Sequence, residues 1–280
     1  MPASGGHDHR GSPTGCAVKL PQIANQGSIF KNPAPRLYDD LAHLWPLISP
    51  RADYVAEAQF ICELLKGALD EPEGTLPAVL ELGAGAGHTL VHLADGYDTT
   101  ALDLSPRMIE LCRGTSPRTQ VHVADMRSAR LGRGFSVVLA HDAVEYMLTV
   151  EDIEAACATA AAHLEPGGVF YVGPTYLTET FQDHDSAGDA AADGHVEVRY
   201  VSYVRRTAAD RYELIMVLAI RECGAIRFVE DRHLCGLFDA ETWRAALHGA
   251  GFAIEQEWNA GAGSRTTDRI PHSAFVARRT

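Results

Sequence analysis

Apolar residues in the middle of the chain fall into short blocks that alternate with longer, periodically patterned stretches. Residues 78–82, 99–104 and 135–141 are nearly continuous apolar runs, as expected for strands that are buried on both faces of a parallel sheet. TQVHVAD and VFYVGPTY add two further strands. The stretches between the strands carry apolar residues every three or four positions, which predicts helices. Repeated strand–helix units predict an α/β fold with a doubly wound, mostly parallel sheet.

This core, residues 76–175, is flanked by four further predicted parts. Residues 1–33 are rich in Gly, Pro and Ser without any sustained period, which predicts a disordered tail. Residues 34–75 contain two helical stretches and are expected to form an N-terminal helical lid. Residues 176–238 contain consecutive strand patterns with short turns, which predicts an inserted antiparallel β meander. Residues 239–280 supply a helix and two strands that complete a seven-stranded sheet.

A polar segment, residues 182–195, precedes the strands of the meander and predicts a mobile loop. We expect this loop and the N-terminal segment to become ordered when ligands bind, because the pocket must exclude water.

Composition narrows the class of protein. The hydrophobic fraction is 46% and the charged fraction 22%, which is ordinary for a globular protein. The formal net charge of −13 disfavours nucleic acid as a partner and suits a cationic substrate, although solubility alone explains it as well. No apolar run is long enough to cross a membrane, and the first residues do not resemble a signal peptide. The six cysteines lack metal-site spacing, so we expect a reduced, cytoplasmic protein without a metal.

A glycine-rich turn, Glu81-Leu-Gly-Ala-Gly-Ala-Gly87, directly follows the first strand and opens a helix. Gly83 allows a tight turn, Gly85 lets the backbone approach a ligand, and Gly87 permits close packing at the helix start. A nicotinamide-dinucleotide fingerprint has its third glycine one residue later, where this chain has His88. The spacing therefore suits a ligand that contains adenosine and an amino acid but no pyrophosphate.

Two further acidic positions follow the second and third strands. Asp103 lies twenty positions after Gly83, where a carboxylate accepts hydrogen bonds from both ribose hydroxyls. Asp125 can accept the amino group of adenine, and the thioether of Met126 can lie on the ring face.

Taken together, VLELGAGAGH, ALDLS, VADM and FSVVLAHDAVEYM followed by AHLEPGGVF resemble the class I S-adenosylmethionine-dependent methyltransferases. The resemblance covers about residues 76–175 and implies a Rossmann-like sheet with S-adenosyl-L-methionine at the carboxyl ends of strands one, two and four. It also implies which residues hold each part of the cofactor. The methionine end would be held by Glu81, Gly83, Ala84, Gly85 and Gly87. The ribose would be held by Asp103 and Leu104, and the adenine by Met108, Asp125 and Met126.

The candidate residues for chemistry follow strand four in His141-Asp-Ala-Val-Glu-Tyr146. His141 is the first candidate for general base because imidazole titrates near neutral pH; its ring could equally hydrogen-bond the cofactor or the backbone. Asp142 or Glu145 could fix a cationic amine or orient the histidine, and either could simply cap a helix. Tyr146 could hydrogen-bond the nucleophile or pack in the core.

Three residues elsewhere extend the candidate site. Tyr38 could close over the sulfonium, whose positive charge favours an aromatic face, or be buried within the lid. His233 could face the substrate from the meander, and Arg265 could meet a phosphate or carboxylate of the substrate. A structural histidine and a solvated arginine are the ordinary alternatives.

The N-terminal YDDLAHLW and the meander followed by LFDAETWRAALHGAGF are similar to N-methyltransferases of actinomycete antibiotic pathways. That resemblance implies methyl transfer to the amine of an amino sugar, or to the N-terminal amine of a glycopeptide. O-Methylation of a small-molecule hydroxyl or carboxylate, a nicotinamide oxidoreductase and a non-catalytic cofactor-binding subunit are the alternatives. The apolar alternation of the meander could supply the face of a homodimer.

Overall fold

The computed structural model describes residues 34–69, 76–192, 196–259 and 273–280. In chain order, its strands are β1 (Ala78–Leu82), β2 (Asp98–Asp103), β3 (Gln120–Val123), β4 (Phe135–His141), β5 (Leu164–Gly173), β6 (His184–Ala192), β7 (Val196–Ala208), β8 (Arg211–Glu222), β9 (Ala225–Gly236), β10 (Phe252–Asn259) and β11 (Ser273–Arg279). The α-helices are α1 (Trp45–Ile48), α2 (Val55–Ala68), α3 (Leu90–Leu93), α4 (Pro106–Thr115), α5 (Val150–His163) and α6 (Ala240–Gly249). Short 3₁₀ helices cover Arg36–Tyr38, Ala42–Leu44, Arg51–Tyr54 and Ala143–Tyr146.

Seven strands form the predicted sheet, in the order β3-β2-β1-β4-β5-β11-β10. Strands β1 to β5 are parallel to one another, and β11 lies antiparallel between β5 and β10. The chain moves outward from β1 to β3 and then returns to place β4 on the other side of β1. The carboxyl ends of β1 and β4 therefore flank a topological switch point, which is where open α/β sheets bind ligands. The predicted seven-stranded, mostly parallel α/β fold is confirmed.

Alternate side chains of the central strands fill two cores, one on each face of the sheet. Leu80, Val138 and Phe170 face a layer that includes α5 and α6. Val79, Val137 and Leu139 pack against apolar residues of α2, α3 and α4 on the other face. This burial on both faces explains why the strands appear as unbroken apolar runs in the sequence.

The meander forms a second sheet of four antiparallel strands, in the order β6-β7-β8-β9. Its inner face packs on the N-terminal segment, where Leu37, Leu41 and Leu44 are fully buried against residues such as Leu218 and Ile220. Burying each leucine stabilises this packing by about 1.5–3 kcal/mol. The residues expected to form a lid are thus anchored beneath the second sheet.

The prediction of a mobile loop at 182–195 is wrong for most of that segment. His184–Ala192 is the edge strand β6, and it pairs residue by residue with β7. The backbone of an edge strand gains its hydrogen bonds from the neighbouring strand, whatever its side chains are. The Gly, Ala and Asp content of this segment therefore concealed a strand. Residues 193–195 lie outside the described residues, as does the predicted tail at 1–33.

Two helical predictions also need correction. The first stretch of the lid divides into single turns, because Pro46 and Pro50 interrupt the helical hydrogen bonds. The helix after the glycine-rich turn is only the one turn α3. Ser105 does cap α4, since its hydroxyl accepts a hydrogen bond from the Met108 N–H. Among the described residues, no helix is long and apolar enough to span a membrane.

Gly236 joins the second sheet to the core and leaves no room for a side chain. A Cβ at this position would lie 2.1 Å from the Met147 carbonyl oxygen and 2.5 Å from the Phe238 ring. We expect Gly236→Ala to lower the free energy of unfolding by about 1–3 kcal/mol, measured by urea denaturation. Gly114→Ala is the matched control, because a Cβ in α4 meets nothing within 4 Å and should raise stability by about 0.5–1 kcal/mol. Equal stability of the two variants would contradict this account.

Candidate active site

The glycine-rich turn after β1 has a backbone that only glycine adopts easily at three positions. Gly83, Gly85 and Gly87 have φ angles of 77°, 52° and 73°. The N–H groups of Gly83 and Ala84 both donate to the Leu102 carbonyl at the end of β2, which fixes the turn at the sheet edge. A Cβ at Gly83 would lie 2.2 Å from the Ala143 Cβ. The turn and the 3₁₀ helix Ala143–Tyr146 therefore pack together at the switch point.

Gly85 and Gly87 differ in what surrounds them. A Cβ at Gly85 would meet nothing within 4 Å, so this part of the turn faces open space that a ligand can occupy. A Cβ at Gly87 would meet the Cys112 sulfur of α4 at 2.5 Å. Gly87 thus serves close helix packing, while Gly85 allows a bound molecule to approach the backbone.

Asp103 ends β2 beside this turn. Its carboxylate accepts hydrogen bonds from the N–H groups of Gly85 and Ser105, each at 2.8 Å. Leu104 lies between Asp103 and Ser105. The Ser105 hydroxyl donates to the Tyr38 carbonyl, so the N-terminal segment is tied to the same loop. The backbone holds the carboxylate in one orientation and leaves it acceptor capacity for ribose hydroxyls.

Glu81, the acid that precedes the glycines, is joined to a second carboxylate through His141. His141 Nε2 lies 2.7 Å from Glu81 Oε1, and His141 Nδ1 lies 3.0 Å from Glu57 Oε1. All three side chains are at most 7% exposed. Glu57 comes from α2, so this bridge connects the N-terminal helix to the ends of β1 and β4.

The Glu57–His141–Glu81 bridge excludes the role first expected of His141. Burial alone lowers the pKa of His141, but the two carboxylates raise that pKa well above its usual value. His141 Nε2 hydrogen-bonds Glu81, whereas Nδ1 lies within ion-pair distance of Glu57 without forming a hydrogen bond among the described residues. A charged imidazole ring has no lone pair, so the expectation of a general base does not fit this arrangement. His141 instead orients Glu81. The other oxygen of Glu81, Oε2, is buried and has no hydrogen-bond partner in the described part of the chain.

Asp125 is held by a neighbouring arginine. Arg127 donates from its backbone and from its guanidinium to the Asp125 carboxylate, and it also reaches Asp152 at 2.8 Å. Burial alone would raise the pKa of Asp125, but the arginine lowers it. The adenine contact of Asp125 stays a prediction, and Arg127 leaves few lone pairs of this carboxylate available for it.

The two methionines expected near adenine are both buried. Met108 lies with Ala42 and Ala86 in a small cluster beneath Tyr38 and Trp45. The Met126 methyl group would be 2.9 Å from a Cβ at Gly83. Both methionines therefore border the glycine-rich turn, and their contact with an adenine ring stays a prediction.

The segment after β4 presents its acids at the sheet edge. Asp142 has φ 48° and ψ −55°, a strained conformation of the kind found at functional sites, and its side chain is 66% exposed. Thr175 donates to its carboxylate. Burial, together with the nearby Asp142, raises the pKa of Glu145 to about 7. A carboxyl group with this pKa can meet an ammonium group as an anion near neutral pH.

Tyr146 lies where the N-terminal segment and the second sheet meet. Its hydroxyl lies 3.1 Å from the Tyr38 hydroxyl and 2.7 Å from His233 Nδ1. The Tyr38 ring packs edge-on against both Tyr146 and His233. The structure therefore brings His233 together with Tyr38 and Tyr146, and its contact with the substrate stays a prediction. Arg265 lies outside the described residues.

Sequence reasoning missed three residues, Glu57, Arg127 and Asp231. Glu57 is a single acid on the apolar face of α2, three positions after Tyr54 and four before Ile61. Asp231 lies at a buried position of β9 between the exposed Glu230 and Arg232, so that it shares a face with His233. In both cases an acid on an otherwise apolar face was the available signal. Nothing in the sequence around Arg127 indicates its pairing with two acids.

The residues at the ends of β1, β2 and β4 fit S-adenosyl-L-methionine. The unpartnered oxygen of Glu81 is an acceptor for the α-ammonium group, the open face of Gly85 leaves space, and Asp103 is oriented for the ribose. Burial raises the pKa of Glu81, although His141 opposes that shift, and an ammonium group at Oε2 would favour the charged form of this carboxyl.

Comparison with known proteins agrees with this site. The methyltransferase domain family matches residues 79–168. A dTDP-3-amino-3,4,6-trideoxy-alpha-D-glucopyranose N,N-dimethyltransferase from Streptomyces venezuelae is 36% identical over 206 residues, which are 72% of this chain and 85% of that protein. A dTDP-3-amino-3,6-dideoxy-alpha-D-glucopyranose N,N-dimethyltransferase from Streptomyces fradiae is 30% identical over 221 residues, 77% of this chain and 85% of that protein.

Solved structures give the same result. DesVI from Streptomyces venezuelae superposes with a TM-score of 0.71 at 32% identity, covering 86% of this chain and 96% of DesVI. CalS10, an amino pentose methyltransferase from Micromonospora echinaspora solved with S-adenosylmethionine bound, gives 0.68 at 27% identity, covering 81% and 92%. The chain therefore belongs to the S-adenosylmethionine-dependent methyltransferases. Within that family, the relatives described above are N-methyltransferases or an amino pentose methyltransferase.

The Glu57–His141–Glu81 bridge gives a test of cofactor binding. We expect Glu57→Gln to weaken the binding of S-adenosylhomocysteine about tenfold, measured by titration calorimetry, because His141 then loses one of the charges that hold it against Glu81. Glu63→Gln is the matched control, since Glu63 is an exposed acid on the same helix. Equal affinity of the two variants would show that the bridge does not orient Glu81 for the cofactor.

Proposed function

We propose that the substrate is a nucleotide-activated amino sugar, and that the enzyme places two methyl groups on its amine. The observation that carries this proposal is the similarity to two dTDP-amino-sugar N,N-dimethyltransferases over most of the chain. The superposition on DesVI covers 96% of that protein, so the similarity extends well beyond the cofactor-binding core. The core alone would not distinguish among substrates.

The geometry after β4 supports an amine as the methyl acceptor. Asp142 and Glu145 place two carboxyl groups in the segment after β4, whose Ala143 packs on Gly83 of the glycine-rich turn. Carboxylates attract an ammonium group and draw it toward the end of β4, where we expect the methyl group to be presented. A hydroxyl substrate would gain little from them, which makes O-methylation the weaker alternative.

The residues of the chain act mainly by positioning. The cofactor, when bound, supplies an electrophilic methyl group on a sulfonium. Glu81 and Asp103 fix its two ends, while Tyr38 and Tyr146 line the side toward the second sheet. Methyl transfer is an in-line displacement, so this alignment and the exclusion of water contribute most of the rate enhancement.

A glycopeptide amine is the second candidate acceptor. The structural likeness to the glycopeptide N-methyltransferase MtfA, with a TM-score of 0.53 at 18% identity, concerns the fold alone. The amino-sugar enzymes are more similar in sequence and in structure. They therefore support the sugar as the acceptor.

Incubation of the protein with S-adenosylmethionine and a set of dTDP-amino sugars tests the proposal. We expect product masses that correspond to one and then two added methyl groups, with NMR placing both on nitrogen. The same sugars with hydroxyl in place of the amine are the control and should remain unmodified. Methylation of those hydroxyl sugars, or of a glycopeptide alone, would contradict the assignment.

We also expect a homodimer through the outer face of the second sheet. Exposed apolar side chains lie on its outward-facing positions, beside arginines and glutamates whose charges are already paired within the sheet; the apolar residues are Val201, Tyr203, Val217, Ile226 and Phe228. Phe228→Asp should convert a dimer into a monomer in light scattering. Val123→Asp, at an exposed position of β3, is the control. A monomeric wild-type protein would contradict this expectation.

A further inference from the structure

Four polar side chains form a continuous chain of contacts between the second sheet and the site. Asp231 Oδ2 lies 3.1 Å from His233 Nε2, and His233 Nδ1 lies 2.7 Å from the Tyr146 hydroxyl. The Tyr38 hydroxyl is 3.1 Å further on. Asp231 and His233 are at most 2% exposed, whereas the two tyrosines are only partly buried. The chain therefore runs from the interior to the region where we place the substrate.

The buried end of this chain is fixed as an anion. Asp231 accepts hydrogen bonds from the backbone N–H groups of Arg36 and Leu37 at 2.8 and 2.9 Å. Burial alone would raise the pKa of Asp231, but His233 and these N–H groups lower it. A carboxylate can only accept, so His233 Nε2 carries the proton that faces it. His233 Nδ1 then presents a lone pair to the Tyr146 hydroxyl.

Tyr146 cannot become a stable phenolate or hold an additional proton. Burial raises the pKa of Tyr146 well above its usual range, so its phenol stays neutral. The one proton of the Tyr146 phenol points to the Tyr38 oxygen in this structure. When that O–H turns to His233 Nδ1, which lies 2.7 Å away, the Tyr146 oxygen keeps a lone pair that faces away from His233. It can accept a proton from one side only while it passes its own proton to the other.

An amine cannot attack a methyl group while it is an ammonium, because the nitrogen then has no lone pair. We propose that Tyr146 takes this proton from the substrate's ammonium and passes its own proton to His233, with Asp231 stabilising the resulting imidazolium. Tyr146 is the catalytic residue of this step; His233 and Asp231 act through it as positioning residues. The inference rests on the proposed amine substrate.

The step balances in protons and electrons. One N–H bond of the ammonium breaks, the tyrosine exchanges one O–H bond for another, and one N–H bond forms at His233 Nδ1. The freed nitrogen lone pair then forms the N–C bond, and the electrons of the methyl–sulfur bond stay on sulfur. The proton leaves His233 after product release, and a second cycle adds the second methyl group.

Other titratable groups face this chain and define the controls. Cys235 of β9 lies beside His233, with its sulfur 3.9 Å from the His233 carbonyl, and Glu145 precedes Tyr146 in the same 3₁₀ helix. Tyr38 of the N-terminal segment packs on both Tyr146 and His233. Glu145 is the competing acceptor, because it lies at the same sheet edge and burial raises its pKa to about 7.

The pH dependence of kcat/KM separates these roles. Tyr146→Phe should reduce kcat/KM about 100-fold at neutral pH, the usual contribution of a proton acceptor. The difference in kcat/KM between Tyr146→Phe and the wild type should shrink as the pH rises through the pKa of the substrate's amine, because the substrate then binds as the neutral amine. His233→Gln should behave in the same way, whereas Glu145→Gln should raise KM with a smaller change in kcat.

Calorimetry with S-adenosylhomocysteine and a thermal melt accompany the kinetics. We expect Tyr146→Phe to bind S-adenosylhomocysteine with the affinity of the wild type. If the thermal melt shows that His233→Gln does not fold, the Tyr146→Phe variant still tests the proposal. A deficit of Tyr146→Phe that is the same at every pH would overturn the proposal. A pH-dependent loss of kcat/KM in Glu145→Gln, without one in Tyr146→Phe, would also overturn the proposal. A wild-type protein that methylates no amine would overturn the proposed substrate instead, and the relay with it.

Discussion

The site depends on one buried imidazolium held between two carboxylates. His141 ends β4, Glu81 ends β1, and Glu57 belongs to the N-terminal helix α2, so a single ring connects three elements that are distant in sequence. Removing ions from water costs several kcal/mol each, and only close pairing offsets that cost. Loss of either carboxylate would leave an uncompensated charge inside the protein. The helix therefore cannot leave the sheet edge without disturbing the acid that faces the cofactor.

A second constraint comes from the four-stranded sheet, which both packs on the N-terminal segment and contributes polar side chains. Its inner face buries the leucines of the N-terminal segment, and β9 places Asp231 and His233 against Tyr146 and that segment. The second sheet and the N-terminal segment both lie outside the core that carries the glycine-rich turn. Some of the proposed substrate contacts come from these two parts, so a change in either could alter the acceptor without altering the cofactor site.

The sequence predicted the parts of the structure that follow from local pattern. The bounds of β1 and β4 coincide with their apolar runs, and the glycine-rich turn and Asp103 lie together as expected. The strand β6 was not predictable, since its pairing with β7 comes from backbone hydrogen bonds rather than from its side chains. The role of His141 was also beyond reach, because it depends on Glu57, eighty-four positions earlier, and no local pattern reports such a partner. The role of Glu81 could be predicted from its place before the glycines. The imidazole ring of His141 that orients Glu81 could not be predicted.

The hydrogen bonds that Asp231 accepts from Arg36 and Leu37 join positions almost at opposite ends of the chain. They close a loop of 195 residues, so the entropy of closure must be overcome before they form. β9 and the elements that complete the seven-stranded sheet, α6, β10 and β11, all follow residue 224 in the chain. During synthesis both sheets therefore stay unfinished until the last fifth of the chain has emerged. The early and late segments joined by the Asp231 hydrogen bonds can meet only then.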